Sequence, residues 1–142
     1  MPTLERALAI ACEAHKGQTD KVGEPYVLHV LRVVLAVEGD DPRIVAALHD
    51  VVEKSPEWTL ERIAVESFPP EIVEAVDALT RRPHESEEAY LARATADPLA
   101  RAVKRADLAD NLAQMHRKAP GDRDAGREAE YRATLARLGA AA

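Results

Sequence analysis

The sequence predicts an all-α, single-domain helical bundle. Apolar residues recur at helical spacing along nearly the whole chain, and no segment of strand length alternates. Proline, glycine and small polar residues punctuate these stretches where helices start and stop. A length of 142 residues fits one domain with room for a core.

Each element follows in order. Leu4, Ala7, Leu8 and Ala11 obey the i, i+3, i+4, i+7 rule, so residues 3–15 read as a first helix. "HKGQTDKVGE" (15–24) is a loop with two glycines. Pro25 suits the first position of a second helix that ends near Gly39. Asp41-Pro42 marks a third start, a capping carboxylate followed by a proline that needs no N–H partner. That helix is expected to run unbroken through "AALHDVVEK" to the residue before Pro56. Thr59 caps a short fourth helix reaching about Ser67, Pro69-Pro70 interrupts, and 71–81 is the fifth. Ser86 caps a sixth helix holding Tyr90. Asp97-Pro98 opens a long seventh through about His116. "APGDRDAG" (119–126) is a loop, and an amphipathic helix runs to Gly139. Repeats, low-complexity tracts and linkers are not found.

Composition narrows the function. Aromatics are only 4% of residues, so the core must be mostly Ala, Leu and Val. The net charge of -6 argues against a nucleic-acid surface, but a few local cations can hold a small phosphorylated ligand. Cys12 stands alone, which excludes an intrachain disulfide and fits a reducing cytosol. No signal peptide is expected, and runs such as "VVLAV" are too short to span a bilayer. A cytoplasmic protein without membrane partners is the expectation.

Three segments carry chemistry. On a helix, His49, Asp50 and Glu53 share a face, while Leu48, Val51 and Val52 point elsewhere and pack. Buried polar groups of this kind require partners. A hydrogen-bonded His–Asp pair would satisfy them, and so would a metal with N and O ligands. His29 lies on the apolar helix "YVLHVLRVV", one turn after Tyr26. Asp107 sits among Val103, Ala106, Leu108 and Leu112 and is expected to face inward. Lys104, Asp107 and Asn111 form a stripe at i, i+3, i+7. Each residue alone has an ordinary structural reading. Together His29, His49, Asp50 and Asp107 make four metal ligands from three helices.

These residues resemble the metal signature of the HD-domain phosphohydrolases. The fuller pattern, "AHKGQTDKVGEPYVLHVLRV" (14–33), "ALHDVVE" (47–53) and "VKRADLADN" (103–111), is similar to the hydrolase domain of the RelA/SpoT family and its small single-domain alarmone hydrolases. The resemblance runs over roughly residues 4–115, and with the C-terminal helix at 125–139 it implies one HD-type domain over 1–142 without a nucleotidyltransferase half. It implies that His29, His49, Asp50 and Asp107 hold one divalent ion, Mn²⁺ in that family, although Zn²⁺ and Fe²⁺ also suit such ligands. The activity implied is removal of the 3′-pyrophosphate of guanosine tetra- or pentaphosphate. Glu53 would orient the water or move its proton. Lys21 and Asn111 match positions that contact the nucleotide, and Tyr26 matches a residue beside the base. Lys104 matches a lysine that supports the carboxylates or neutralises phosphate. His15 matches a recurrent histidine expected to make a structural hydrogen bond, whereas His84 and His116 are expected on the surface. Tyr90, Arg81 and Arg82 read as a solvated helix end rather than a phosphate entrance.

Four positions depart from the family pattern. Its Glu-Asp pair is Glu53-Lys54 here, so a carboxylate has become a cation. Its basic residue before Lys21 is Asp20. Its His-Pro is His29-Val30, and its arginine after the second metal aspartate is Leu108. Lys54 and Asp20 invert charge beside the expected nucleotide. Lys54, i+4 from Asp50, is expected to strengthen phosphate binding and to weaken or redirect hydrolysis. Two alternatives therefore stand beside an alarmone hydrolase. One is an HD phosphohydrolase for another phosphorylated nucleotide. The other is a weakly catalytic or non-catalytic metal- and nucleotide-binding module.

Overall fold

The computed structural model describes residues 3–140, so the outermost positions of the expected 1–142 unit lie outside it. Among the described residues the regular structure is helical, with one isolated antiparallel bridge between Thr19 and Pro25. The α-helices are α1 (Leu4–Ala14), α2 (Tyr26–Ala36), α3 (Asp40–Leu48), α4 (Val51–Lys54), α5 (Leu60–Val65), α6 (Pro70–Ala78), α7 (Glu87–Ala96), α8 (Pro98–Met115) and α9 (Ala125–Ala140). The all-α expectation is borne out.

Side-chain caps fix several helix starts. Thr59 accepts from the Arg62 N–H, Ser86 from the Ala89 N–H, and Asp97 from the N–H groups of Leu99 and Ala100. Two starts differ from expectation. Pro25 precedes α2 as its cap rather than opening it. Helix α3 begins at Asp40 behind Gly39, whose φ of 96° is a left-handed-side conformation that favours glycine, and no side chain caps it. Asp41 is therefore inside the first turn, where its charge still suits the helix dipole. Helix α6 stops at Ala78 rather than 81, where its last carbonyls meet side-chain donors: Thr80 Oγ1 donates to Val76 and Arg93 to Asp77, and Arg93 also donates to the Thr80 carbonyl just beyond the helix.

Helix α3 is the central element, packed against α1, α2, α6 and α8. Its run Ile44–Leu48 is buried on every side, as expected of a helix with no solvent face. Ile10 and Ala11 of α1, Val30 and Val33 of α2, Val76 of α6 and Val103 of α8 complete the core around it. This core is built mainly from Ala, Val, Leu and Ile, with Trp58 the largest fully buried side chain. No helix among the described residues is long and apolar enough to cross a membrane.

The expected continuous helix over "AALHDVVEK" is broken. Helix α3 ends at Leu48, and Asp50, at φ -110° and ψ 1°, separates it from the single turn of α4. The His49 ring is part of the cause. Its Nδ1–H donates to the Ala46 carbonyl at 2.5 Å, the acceptor that a continued helix would offer to the Asp50 N–H. The break has a consequence for the site. On an unbroken helix neighbouring side chains diverge by about 100°. Here His49 Nε2 and Asp50 Oδ2 come within 3.0 Å.

Candidate metal centre and its cavity

Helices α2, α3 and α8 bring His29, His49 and Asp107 together, and the α3–α4 break adds Asp50. One ligand atom from each of the four lies within 4.8 Å of the others; His29, His49 and Asp107 are buried, and Asp50 is nearly so. His29 Nε2 is 2.9 Å from Asp107 Oδ1, and His49 Nε2 is 3.5 Å from the same oxygen. His49 Nε2 is buried and lacks a well-formed hydrogen bond, while Nδ1–H is committed to the Ala46 carbonyl. A lone pair aimed inward with its tautomer fixed from behind suits a metal ligand.

The electrostatics agree with a cation site. Burial alone would depress both imidazoles, but hydrogen bonds to Asp107 and Asp110 carry His29 above its ordinary value, and Asp50 and Asp107 carry His49 well above. Burial would raise the carboxyls, yet His49 holds Asp50 down at about 2, and His29 and His49 hold Asp107 well below the usual range. The two carboxylates are thus held ionised and favour positive charge beside them. A divalent cation would supply that positive charge with both imidazoles neutral, so this cluster can hold one.

The loop before α2 is clamped against this centre. Gln18 Nε2 donates to the carbonyls of Ala14 and Lys54, and the Tyr26 N–H donates to Gln18. Asp20 Oδ1 accepts from the N–H groups of Val22 and Glu24, so this departure from the family pattern serves the loop's own turn. Gly23, at φ 84°, permits that turn. The Tyr26 hydroxyl donates to Asp50 Oδ2, and burial foremost keeps that phenol protonated. His15 is buried and shares a 2.9 Å hydrogen bond with Gln18 Oε1, as expected; His84 and His116 are exposed.

A cavity of about 940 Å³ opens over the four residues, and Lys21, Tyr26, Glu53, Lys54, Lys104 and Asn111 all line it. Glu53 Oε1 accepts from the Arg81 N–H at 3.1 Å. Lys54 Nζ lies 4.9 Å from the centre of the Tyr26 ring. Lys104 Nζ reaches Asp107 Oδ2 at 3.3 Å, and Asn111 Nδ2 is 3.5 Å from Asp107 Oδ1. Burial and the anionic Asp107 oppose one another at Lys104, and the carboxylate prevails, raising the amine.

Three features escaped the sequence reading. Arg81 and Tyr90 line the cavity rather than forming a solvated helix end, with the Arg81 guanidinium 4.6 Å from the ring centre; Arg82 instead pairs with Asp77. Helix α9 supplies a cavity wall with Arg127, Tyr131, Thr134 and Arg137, and Lys21 Nζ donates to the Tyr131 hydroxyl at 3.3 Å. Asp110 binds the outer edge of His29, at 2.6 Å from Nδ1. A signal for Asp110 existed: Asp107 and Asp110, like His29 and Arg32, stand at i, i+3.

A family model for the HD domain matches residues 7–138. The chain belongs to the HD-domain family. The match takes in α9, beyond the segment where the motifs resemble relatives. The HD domain is also similar to the guanosine-3′,5′-bis(diphosphate) 3′-pyrophosphohydrolase of Haemophilus influenzae, 37% identical over 76 residues, covering 51% of this chain and 11% of that protein. Its counterpart of the same name in Aquifex aeolicus is 36% identical over 121 residues, covering 77% and 17%. The GTP pyrophosphokinase of Streptomyces coelicolor is 39% identical over 82 residues, covering 55% and 9%. The resemblance carried by the motifs is thus borne out, and this HD domain spans a small part of each of these larger relatives.

Proposed function

We propose that this HD domain is a divalent-metal-dependent phosphohydrolase that removes the 3′-pyrophosphate of guanosine tetra- or pentaphosphate, or hydrolyses a closely related phosphorylated nucleotide. The observation that carries the reading is the convergence of two histidines and two aspartates within 4.8 Å at the base of a cavity lined by Lys21, Lys54, Arg81 and Lys104. The similarity to proteins named as 3′-pyrophosphohydrolases supports the substrate. We read His29, His49, Asp50 and Asp107 as the ligands and Mn²⁺ as the ion, since mixed imidazole and carboxylate donors suit it. Such an ion, when bound, polarises a phosphoryl oxygen and acidifies a water.

The chain's own groups do the rest. Glu53, fixed by the Arg81 N–H, accepts the proton of the attacking water. Lys21 and Lys54 draw the phosphates in, Lys104 holds Asp107 in place, and Asn111 and Tyr26 flank the bound nucleotide. The Tyr26 hydroxyl also orients Asp50. Because α9 walls the cavity, we treat 1–142 as one functional unit. The single Cys12 is consistent with a reducing cytoplasm.

The test is incubation of Mn²⁺-loaded protein with a panel of phosphorylated nucleotides and identification of the products. Release of pyrophosphate from guanosine tetraphosphate is expected. Lys54, a cation where relatives carry a second carboxylate, favours the second reading of a binding module with little turnover. Tight nucleotide binding without product from any panel member would select that module and overturn the hydrolase.

A further inference from the structure

We propose that Asp110 is a positioning residue for the metal centre, acting through His29 and held in place by Arg32. The inference rests on the reading of His29 as a ligand. Asp110 is not among the four converging residues; it lies on the opposite edge of the His29 ring. One of its oxygens, Oδ2, accepts from His29 Nδ1 at 2.6 Å, and the other, Oδ1, accepts from Arg32 Nε at 2.7 Å. Both oxygens are therefore committed, and the side chain is only 9% exposed.

An imidazole has one proton to place between two nitrogens when neutral. A carboxylate on Nδ1 keeps the proton there, so Nε2 presents its lone pair to the centre. The anion also makes the ring a better donor toward a cation. His49 reaches the same arrangement by another route, with the Ala46 carbonyl on its Nδ1. The two histidines thus have different backing groups, one charged and one neutral. Arg32 follows His29 by one turn on α2, and Asp110 follows Asp107 by one turn on α8. Two helices therefore present ligand and support from matching faces. The Arg32 guanidinium balances the buried charge of Asp110 and keeps the carboxylate from turning into the cluster.

The experiment titrates Mn²⁺ into the full chain and reads free ion by electron paramagnetic resonance, for wild type, Asp110→Asn and Asp110→Ala. Thermal melts without metal accompany each. Asn keeps the shape and an acceptor but loses the charge, so affinity is expected to fall about tenfold. Ala loses both and should fall toward about 100-fold, the span typical of such supporting groups. A purely structural Asp110 would lower the melting temperature and leave Mn²⁺ affinity of the folded protein within twofold of wild type, which overturns the proposal. If the Ala variant does not fold, the Asn variant decides on the same criterion. Failure of the underlying reading looks different: wild type itself would then take up no Mn²⁺, whereas failure of this proposal alone leaves wild type loaded and Asp110→Asn indistinguishable from it.

Discussion

Glu53→Gln separates proton acceptance from everything else that Glu53 does. Its Oε1 accepts from the Arg81 N–H at 3.1 Å, and a glutamine oxygen can make the same bond. Arg81 is itself anchored, pairing with Glu87 and lying against Tyr90, so the backbone donor stays in place. Glu53 is exposed to the cavity, so the exchange leaves no buried group unpaired, and stability should change by less than about 0.5 kcal/mol. The four metal-cluster residues are untouched. What disappears is the capacity to take a proton. That assistance is worth about 10²-fold or more, which corresponds to about 2.7 kcal/mol in the barrier. Single-turnover hydrolysis of guanosine tetraphosphate at saturating Mn²⁺ reads this directly, with Mn²⁺ affinity and a thermal melt as controls. Turnover within threefold of wild type, with metal bound, would refute the reasoning and make Glu53 a scaffold for the 53–81 contact.

Other perturbations test neighbouring links. His49→Ala should abolish stoichiometric metal uptake, checked by elemental analysis; a folded variant with wild-type metal content removes the site. Lys54→Asp should raise alarmone turnover while loosening anionic ligands, because it restores a carboxylate and removes a cation from the wall beside Tyr26; flat or lower turnover means this position does not govern activity. Stability of the metal-free protein should depend on pH in a defined sense. The His29 and His49 values are raised in the fold, so their contribution is complete below the unfolded value of about 6.5 and is lost as pH rises through the folded values. Asp50 and Asp107 are lowered, so theirs is present above about 3.9 and is lost on acidification. Melting temperature should therefore fall without metal as pH rises above about 6.5 through the folded histidine values, and the stabilisation added by Mn²⁺ should grow over the same range because fewer protons compete. A metal-free melting temperature that rises across that range contradicts the network.

Most helices were legible in the sequence because capping and periodicity are local facts. Asp97-Pro98, Thr59 and Ser86 cap helices through bonds to residues two or three positions away, and periodicity marks which faces turn inward. His29, His49, Asp50 and Asp107 each had an ordinary reading as polar residues on such faces; it was their combination, and its resemblance to the HD signature, that singled them out. The tertiary structure decided the rest. Local spacing placed His49 and Asp50 on an unbroken helix, but a central α3 surrounded by partners ends at Leu48, and only that break lets adjacent side chains converge. Asp110 meets His29 across 81 positions, and Lys21 meets Tyr131 across 110. No periodicity encodes such meetings. They depend on how α2, α8 and α9 pack, because a helix's pattern specifies which face is buried and leaves open what that face will touch.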